Sequence, residues 1–280
     1  MPELPEVETT KNDLKKRIVS RKIEGFWVGV PSRVFGKTNL AVNKTIQSLE
    51  RRGKNIIINL SDDVSILIHQ KISGHLLWGH WTKEKNKWVS KDKEMNHRVN
   101  SYIHFIVFLS DKKMVALSDP RKFFKVEINK EQEILEKIKD LGPDALEVSL
   151  DEFKKRIKQK KQIIKKLLLD QTFIAGVGNI YSDEALWQAK ISPFRPACSL
   201  KDQEIKELYL SMRKILKKAL ELKGDSTSDY RLVTGEEGGY QKFHKVYQRD
   251  GKLCLRKDGG IIQREKFNNR SLRYCLKCQK

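Results

Sequence analysis

Apolar residues in the first half of the chain cluster in short runs, and from Glu131 onwards they repeat at helical spacing. At the very start, Val7, Leu14 and Ile18 share one face of a helical segment running towards Ser20, with Pro5 suited to its first turn. Runs rich in β-branched and aromatic residues follow at 55–60, 64–69, 102–109, 114–117 and 123–128, separated by polar or Asp/Lys turns. This half reads as a β-sandwich or barrel. Residues 83–98 are lysine-rich and weakly patterned, which predicts a surface loop.

In the second half, Ile134, Leu135 and Ile138 mark a helix that ends at the Leu141-Gly142-Pro143-Asp144 break. Ser149-Leu150-Asp151-Glu152 is a capping box opening a helix through Ile157, and a further helical run covers 162–169. After the turn Ala175-Gly176-Val177-Gly178-Asn179, another helix starts at Ile180 and stops near Lys190, before Ser192-Pro193. A long amphipathic helix over about 201–222 carries Ile205, Leu208, Met212, Ile215, Leu216 and Ala219 as its buried stripe. The spacing divides the chain into 1–130, 131–223, a Gly- and Asp-rich loop region at 224–243, and a cysteine-bearing tail at 244–280.

Charge narrows the partner. Of 280 residues, 57 are Lys or Arg against 36 Asp or Glu, a formal charge of +21 and a pI near 9.7. That is a footprint for a polyanion, with nucleic acid first. An anionic membrane surface is the alternative, but no apolar run nears the roughly 18 residues of a spanning helix, and no hydrophobic signal segment opens the chain. A soluble intracellular protein follows. Three of the four cysteines, Cys254, Cys275 and Cys278, fall in the last 30 residues, which is not the spacing of a secreted disulfide scaffold. Cys275-Leu276-Lys277-Cys278 has the gap that lets two thiolates meet one zinc ion, with Cys254 a third ligand. Lys257 stands where a second Cys-x-x-Cys pair would close.

Candidate chemistry begins at the terminus. Once Met1 is removed, Pro2 is a free secondary amine, and α-amino groups titrate at roughly 7.7–8.0, well below lysine. Such an amine attacks a sugar C1′ to form an imine, with Glu3 handling the proton. Gly176-Val177-Gly178-Asn179 between two helices is a turn that can aim backbone N–H groups at a phosphate, and the basic run Lys154, Lys155, Arg156, Lys158, Lys160 and Lys161 precedes it. Lys54, after Arg51-Arg52-Gly53, projects from a strand end. Arg121 lies in a turn beside Phe123, a cation and a ring suited to entering a DNA stack.

These residues together resemble a family. Met-Pro-Glu-Leu-Pro-Glu-Val-Glu over 1–8, Lys54 in Arg-Arg-Gly-Lys, Asp119-Pro120-Arg121-Lys122-Phe123, Gly176–Tyr181, Val246-Tyr247-Gln248-Arg249 and the ending from Cys275 to Gln279 resemble bacterial formamidopyrimidine-DNA glycosylase, in order along the whole chain. The resemblance implies an α+β multidomain fold. Its parts are an N-terminal β-sandwich with flanking helices, a helix-two-turn-helix domain, a lesion-recognition loop and a zinc-finger-like β-hairpin. It implies a bifunctional enzyme that excises oxidised purines from double-stranded damaged DNA and nicks the abasic strand, working as a monomer in the bacterial cytoplasm. By matching positions, Pro2 resembles the Schiff-base nucleophile and Glu3 the assisting acid/base. Lys54 resembles the lysine of β-elimination and Arg270 the finger arginine of δ-elimination. Asn179 and Lys160 match DNA-phosphate contacts, His97 lies near a family histidine, and Arg121 and Phe123 match two members of a void-filling triad. The third member, methionine in many relatives, is here Ile72.

The finger departs from the pattern. Three cysteines remain, Lys257 replaces the fourth, and either Asp258 or His244 is available to complete a zinc site, or the hairpin stands without metal. Two rival readings stay open: an endonuclease VIII-like enzyme for oxidised pyrimidines, against which Leu4 speaks, and a catalytically inactive DNA binder.

Overall fold

The computed structural model describes residues 1–267 and 270–280. Contacts gather it into two compact units, Met1–Asp140 with Leu222–Gly239, and Leu141–Glu221 with Tyr240–Lys280.

The first unit opens with helix α1, Leu4–Ile18, whose start is a capping box: the Glu6 carboxylate accepts the Glu3 N–H at 2.7 Å and the Glu3 side chain reciprocates. The strands that follow are β1 (Ile23–Val28), β2 (Val34–Gly36), β3 (Ile46–Arg52), β4 (Asn55–Leu60), β5 (Val64–His69), β6 (His75–Gly79), β7 (Thr82–Glu84), β8 (Lys87–Val89), β9 (Ile103–Leu109), β10 (Met114–Ser118) and β11 (Lys125–Lys130). They form a four-stranded sheet β1-β9-β10-β6 and a five-stranded sheet β2-β11-β5-β4-β3, with β7 and β8 a separate hairpin. The expected sandwich is present. Register explains its core: Ile56 faces Ile68, Ile58 faces Ile66 and Leu60 faces Val64, so one side of β4 and β5 is wholly apolar. These residues pack with Leu76, Phe105, Val107, Val115 and Leu117 of the other sheet and with Val7, Leu14 and Ile18 of α1.

Ile57 and Leu67 on the opposite side are also buried. Two helices pack on this sheet: α1, whose apolar face belongs to the core, on β3 and β4, and α2 (Glu131–Ile138), with Ile134 and Ile138 buried, on β5 and β11. Burial on both sides is why these strands read as continuous apolar runs. Strands β1, β2, β3 and β6 carried no such run and escaped the sequence reading. The lysine-rich stretch expected as a loop holds the β7–β8 hairpin, because Trp88 packs its ring against Trp27 and Phe108.

The second unit contains α3 (Leu150–Lys158), α4 (Ile164–Leu169), α5 (Asn179–Gln188), α6 (Asp202–Glu221) and the antiparallel hairpin β12 (Ile262–Phe267) and β13 (Arg270–Cys275). Ser149 caps α3 as expected, its hydroxyl accepting the Glu152 N–H at 3.2 Å. Between α4 and α5 the chain makes two turns, with the Asp170 carbonyl accepting the Phe173 and Ile174 N–H groups at 3.1 Å each. Residues from Ile180 to Trp187 are all buried, since α4, α6 and β13 surround α5. Among the described residues no helix is long and apolar enough to cross a membrane.

Candidate functional site

Pro2 and Glu3 are buried at the start of α1, Glu3 at 1% exposure. Lys54, 7% exposed, sits at the strand end where it was expected, in the two-residue turn between β3 and β4 across which Arg52 pairs with Asn55. Gly53 takes φ +57 there and Lys54 does not, the pattern of a type II′ hairpin, which demands glycine first. A charged bridge fixes this turn against α1. Arg51 donates through Nε to Glu8 Oε2 at 2.7 Å and through a terminal nitrogen to the Gly53 carbonyl at 3.0 Å. Burial alone would raise the Glu8 carboxyl, but bonds from Lys11 and Arg51 hold it below its ordinary range.

Residues 222–239 return to the same helix start. Asp225 donates its N–H to Glu6 Oε1 at 2.8 Å, and the buried Tyr230 hydroxyl donates to the Glu6 carbonyl at 3.3 Å. Gly224, at φ +86, lets the chain pass Glu6, whose Cγ would lie 2.9 Å from any added Cβ. Sequence reasoning missed Glu6, Glu8 and Arg51 as supports of Pro2, Glu3 and Lys54, and it missed His69. Cross-strand from Asn55, His69 has its imidazole pushed down to about 3 by burial and then by Lys71, Lys54 and Lys125. Its Nδ1 accepts the Lys71 N–H at 2.9 Å, so the neutral ring presents Nε2–H as a donor.

Ile72 and Phe123 are each 38% exposed, far more than a core residue, and the Arg121 guanidinium lies 5.2 Å from the Phe123 ring centroid. His97 is exposed, caps a short 3-10 turn by accepting the Val99 N–H at 3.3 Å, and has its Nε2 3.2 Å from Arg231.

In the second unit Lys160 is exposed just beyond α3. Asn179 opens α5, donating its side-chain N–H to the Ser271 carbonyl at 2.8 Å, while its Oδ1 has no hydrogen-bond partner among the described residues. Gln171 shapes the glycine turn before it: its amide donates to the Leu169 and Val177 carbonyls at 3.0 and 2.8 Å and accepts the Gly176 N–H at 3.0 Å. Arg270 opens β13, paired with Phe267. Two buried carboxylates of α5 hold the tail: Asp183 accepts the Arg273 N–H at 3.1 Å, and Glu184 accepts the N–H groups of Lys245, Val246 and Tyr247 at 2.9–3.0 Å. Asn179, Lys160, Arg270 and the glycine turn had been expected here; Gln171, Asp183 and Glu184 had not.

The cysteine cluster is completed by Asp258, not by His244. One ligand atom each from Cys254, Asp258, Cys275 and Cys278 lie within 4.8 Å of one another. His244 instead packs its ring against Tyr240 and Tyr247. The backbone explains the choice. Lys257 closes a turn onto the Cys254 carbonyl at 3.1 Å with φ +57, and the next residue swings in. Asp258 Oδ1 accepts the Gly260 N–H at 2.8 Å, leaving Oδ2 4.0 Å from Cys275 Sγ. A tetrahedral ion with metal–sulfur bonds of about 2.3 Å needs S–S edges of about 3.8 Å. Cys254 and Cys278 sulfurs are 3.9 Å apart. Three thiols and a carboxylate so placed fit one metal ion.

Residues 1–126 match the family described as Formamidopyrimidine-DNA glycosylase N-terminal domain, and residues 141–231 match Formamidopyrimidine-DNA glycosylase H2TH domain. The chain is 36% identical to the formamidopyrimidine-DNA glycosylase of Pelotomaculum thermopropionicum, over 100% of its own length and 99% of that relative. It is also 36% identical to that of Heliobacterium modesticaldum, over 100% of both. It resembles a Lactococcus lactis FPG mutant in complex with Fapy-dG containing DNA at TM-score 0.86 and 31% identity, covering 100% of each chain. The Lactococcus lactis Fpg with abasic site containing DNA gives TM-score 0.86 at 30% identity over 99% of each. The chain belongs to the formamidopyrimidine-DNA glycosylase family.

Proposed function

We propose that this family member excises oxidised purines, chiefly 8-oxoguanine and formamidopyrimidines, from duplex DNA and then cleaves the abasic strand by β,δ-elimination. The observation that carries the reading is the buried Pro2-Glu3 start, tied through Glu8, Arg51 and Gly53 to the turn that holds Lys54. Relatives bound to Fapy-dG and abasic DNA support the substrate.

With Met1 removed, the Pro2 amine attacks C1′ of a nucleotide turned out of the stack. The bond from C1′ to the base breaks and Glu3 handles the proton that the leaving base takes up; the Pro2 nitrogen gives up its own proton, the C1′–O4′ bond then breaks with a proton going to O4′, and the opened sugar is left with an iminium at C1′. That iminium acidifies the C2′ proton. Its loss expels the 3′-phosphate, and a second elimination expels the 5′-phosphate, with Lys54 and then Arg270 stabilising the departing charge. Ile72, Arg121 and Phe123 fill the space the nucleotide leaves, while His97, Lys160 and Asn179 contact phosphate. We assign zinc to Cys254, Asp258, Cys275 and Cys278, where it stiffens the base of the hairpin that carries Arg270. The bacterial origin of its relatives supports a cytoplasmic enzyme acting on chromosomal DNA.

Borohydride should trap a covalent complex with 8-oxoguanine DNA, and Pro2→Gly should abolish it. Failure of the wild type to trap on either a lesion or an abasic site leaves only a DNA binder, and preference for thymine glycol indicates the pyrimidine enzyme. Intact mass decides whether Met1 is removed. Elemental analysis should find about one zinc, lost on Cys275→Ser; none refutes the metal.

A further inference from the structure

We infer that Asp119 is a positioning residue that joins the loop bearing Ile72 to the turn bearing Arg121 and Phe123, so that the three side chains enter DNA as one rigid piece. The inference rests on the void-filling reading of those three residues.

Topology brings the two segments together. The chain leaves β5 in the five-stranded sheet and reaches β6 in the four-stranded one through residues 70–74; it leaves β10 and returns to β11 through residues 119–124. Ser118 pairs with His75 and Lys125 with His69, so both crossings lie side by side at one end of the sandwich. Each crossing carries exposed side chains outward. Something must set their spacing.

Asp119 is fully buried between them. Its Oδ1 accepts the hydroxyl of Ser73, also fully buried and adjacent to Ile72, and the Arg121 N–H at 3.0 Å. Its Oδ2 accepts the N–H groups of Phe123 and Phe124 at 2.8 Å each. One carboxylate thus folds its own turn with three backbone bonds and fastens that turn to the neighbouring loop with a fourth. The Asp119 N–H donates to the Tyr102 carbonyl at 2.9 Å, which anchors the carboxylate's own backbone to the residue just before β9. Buried hydrogen bonds to an ionised acceptor are the strong ones, and a wedge must resist the stack it parts. A bond that only stabilised one turn would not reach across to Ser73.

The test uses Ser73→Ala, which removes only the cross-link, with Phe123→Ala and the double variant. The readouts are single-turnover excision of 8-oxoguanine and the fluorescence rise of 2-aminopurine placed beside it in the duplex. Ser73→Ala should slow both about tenfold, the factor equivalent to one hydrogen bond of about 1.4 kcal/mol. In the Phe123→Ala background it should have almost no further effect, because the wedge it steadies has gone. Factors that multiply in the double variant, or a fall in melting temperature with unchanged fluorescence kinetics, overturn the inference and assign Asp119 to stability alone. If Phe123→Ala itself changes neither readout, the void-filling reading fails, and the inference with it.

Discussion

Replacing Lys165 by methionine tests how the second unit holds the elements assigned to DNA. Lys165 and Asp183 are both fully buried. The ammonium donates to the Asn179 carbonyl at 3.1 Å, to Ser182 Oγ at 2.7 Å and to Asp183 Oδ1 at 2.5 Å, and Asp183 Oδ2 accepts the Arg273 N–H. A single side chain therefore braces the start of α5 and, through Asp183, strand β13. Removing one member of a buried ion pair costs roughly 3–5 kcal/mol, because the other charge stays behind uncompensated.

The pH dependence supplies the sharper test. Burial pushes the Asp183 carboxyl up to about 6, against the opposing pull of Lys165 and the Arg273 N–H. An acid whose folded pKa lies above its unfolded value stabilises the native state at low pH, and that contribution is lost as pH rises through the folded pKa. Without Lys165 the carboxyl rises further. Between about 6 and the new value the mutant then loses about 1.4 kcal/mol per pH unit relative to wild type. Urea unfolding of the full chain at pH 6 and pH 8, followed by tryptophan fluorescence, should show the larger deficit at pH 8. Lys165→Met combined with Asp183→Leu should regain most of it, since no buried charge remains. A deficit under about 1 kcal/mol at pH 8, or one independent of pH, refutes the reasoning.

His75 is fully buried and its imidazole is pushed down to about 4 by burial, although Asn100 and Ser73 acceptors face it. Its neutral form supports the fold above pH 6.5, and that support is lost as pH falls from 6.5 towards 4; His75→Gln should flatten this acid limb by about 2–3 kcal/mol in urea midpoints at pH 4.5 and 7. Lys160→Ala should weaken binding to damaged and undamaged duplex alike and reduce the slope of log affinity against log salt by about 1. An unchanged slope removes Lys160 from the interface. Gln171→Ala deletes three bonds that shape the glycine turn and should weaken DNA binding about tenfold; lower melting temperature with unchanged affinity would make it a purely structural residue.

Much of the fold was legible where neighbouring residues carry the information. Strands β4 and β5 coincide with apolar runs buried on both sides, and Ser149 caps α3 where the sequence expects the helix to start. Strand β3, with Gln47 and Ser48 between its buried Ile46 and Leu49 and Glu50, Arg51 and Arg52 after them, gave too weak an alternation to be read. The β7–β8 hairpin was hidden by its lysines, because one tryptophan does the packing.

By itself the sequence determined the N-terminal Pro2-Glu3 pair, the basic charge, the glycine turn at Asn179 and the spacing of the cysteines. These are local patterns, set by covalent neighbours and by side-chain periodicity. Tertiary structure alone decided that residues 222–239 return to Glu6, that Asp258 rather than His244 joins the three cysteines, and that Asp119 and Lys165 each brace two segments. Those outcomes depend on which polar groups are buried together, and a buried carboxylate or ammonium must find its partners wherever the fold brings them, at sequence separations no local pattern encodes.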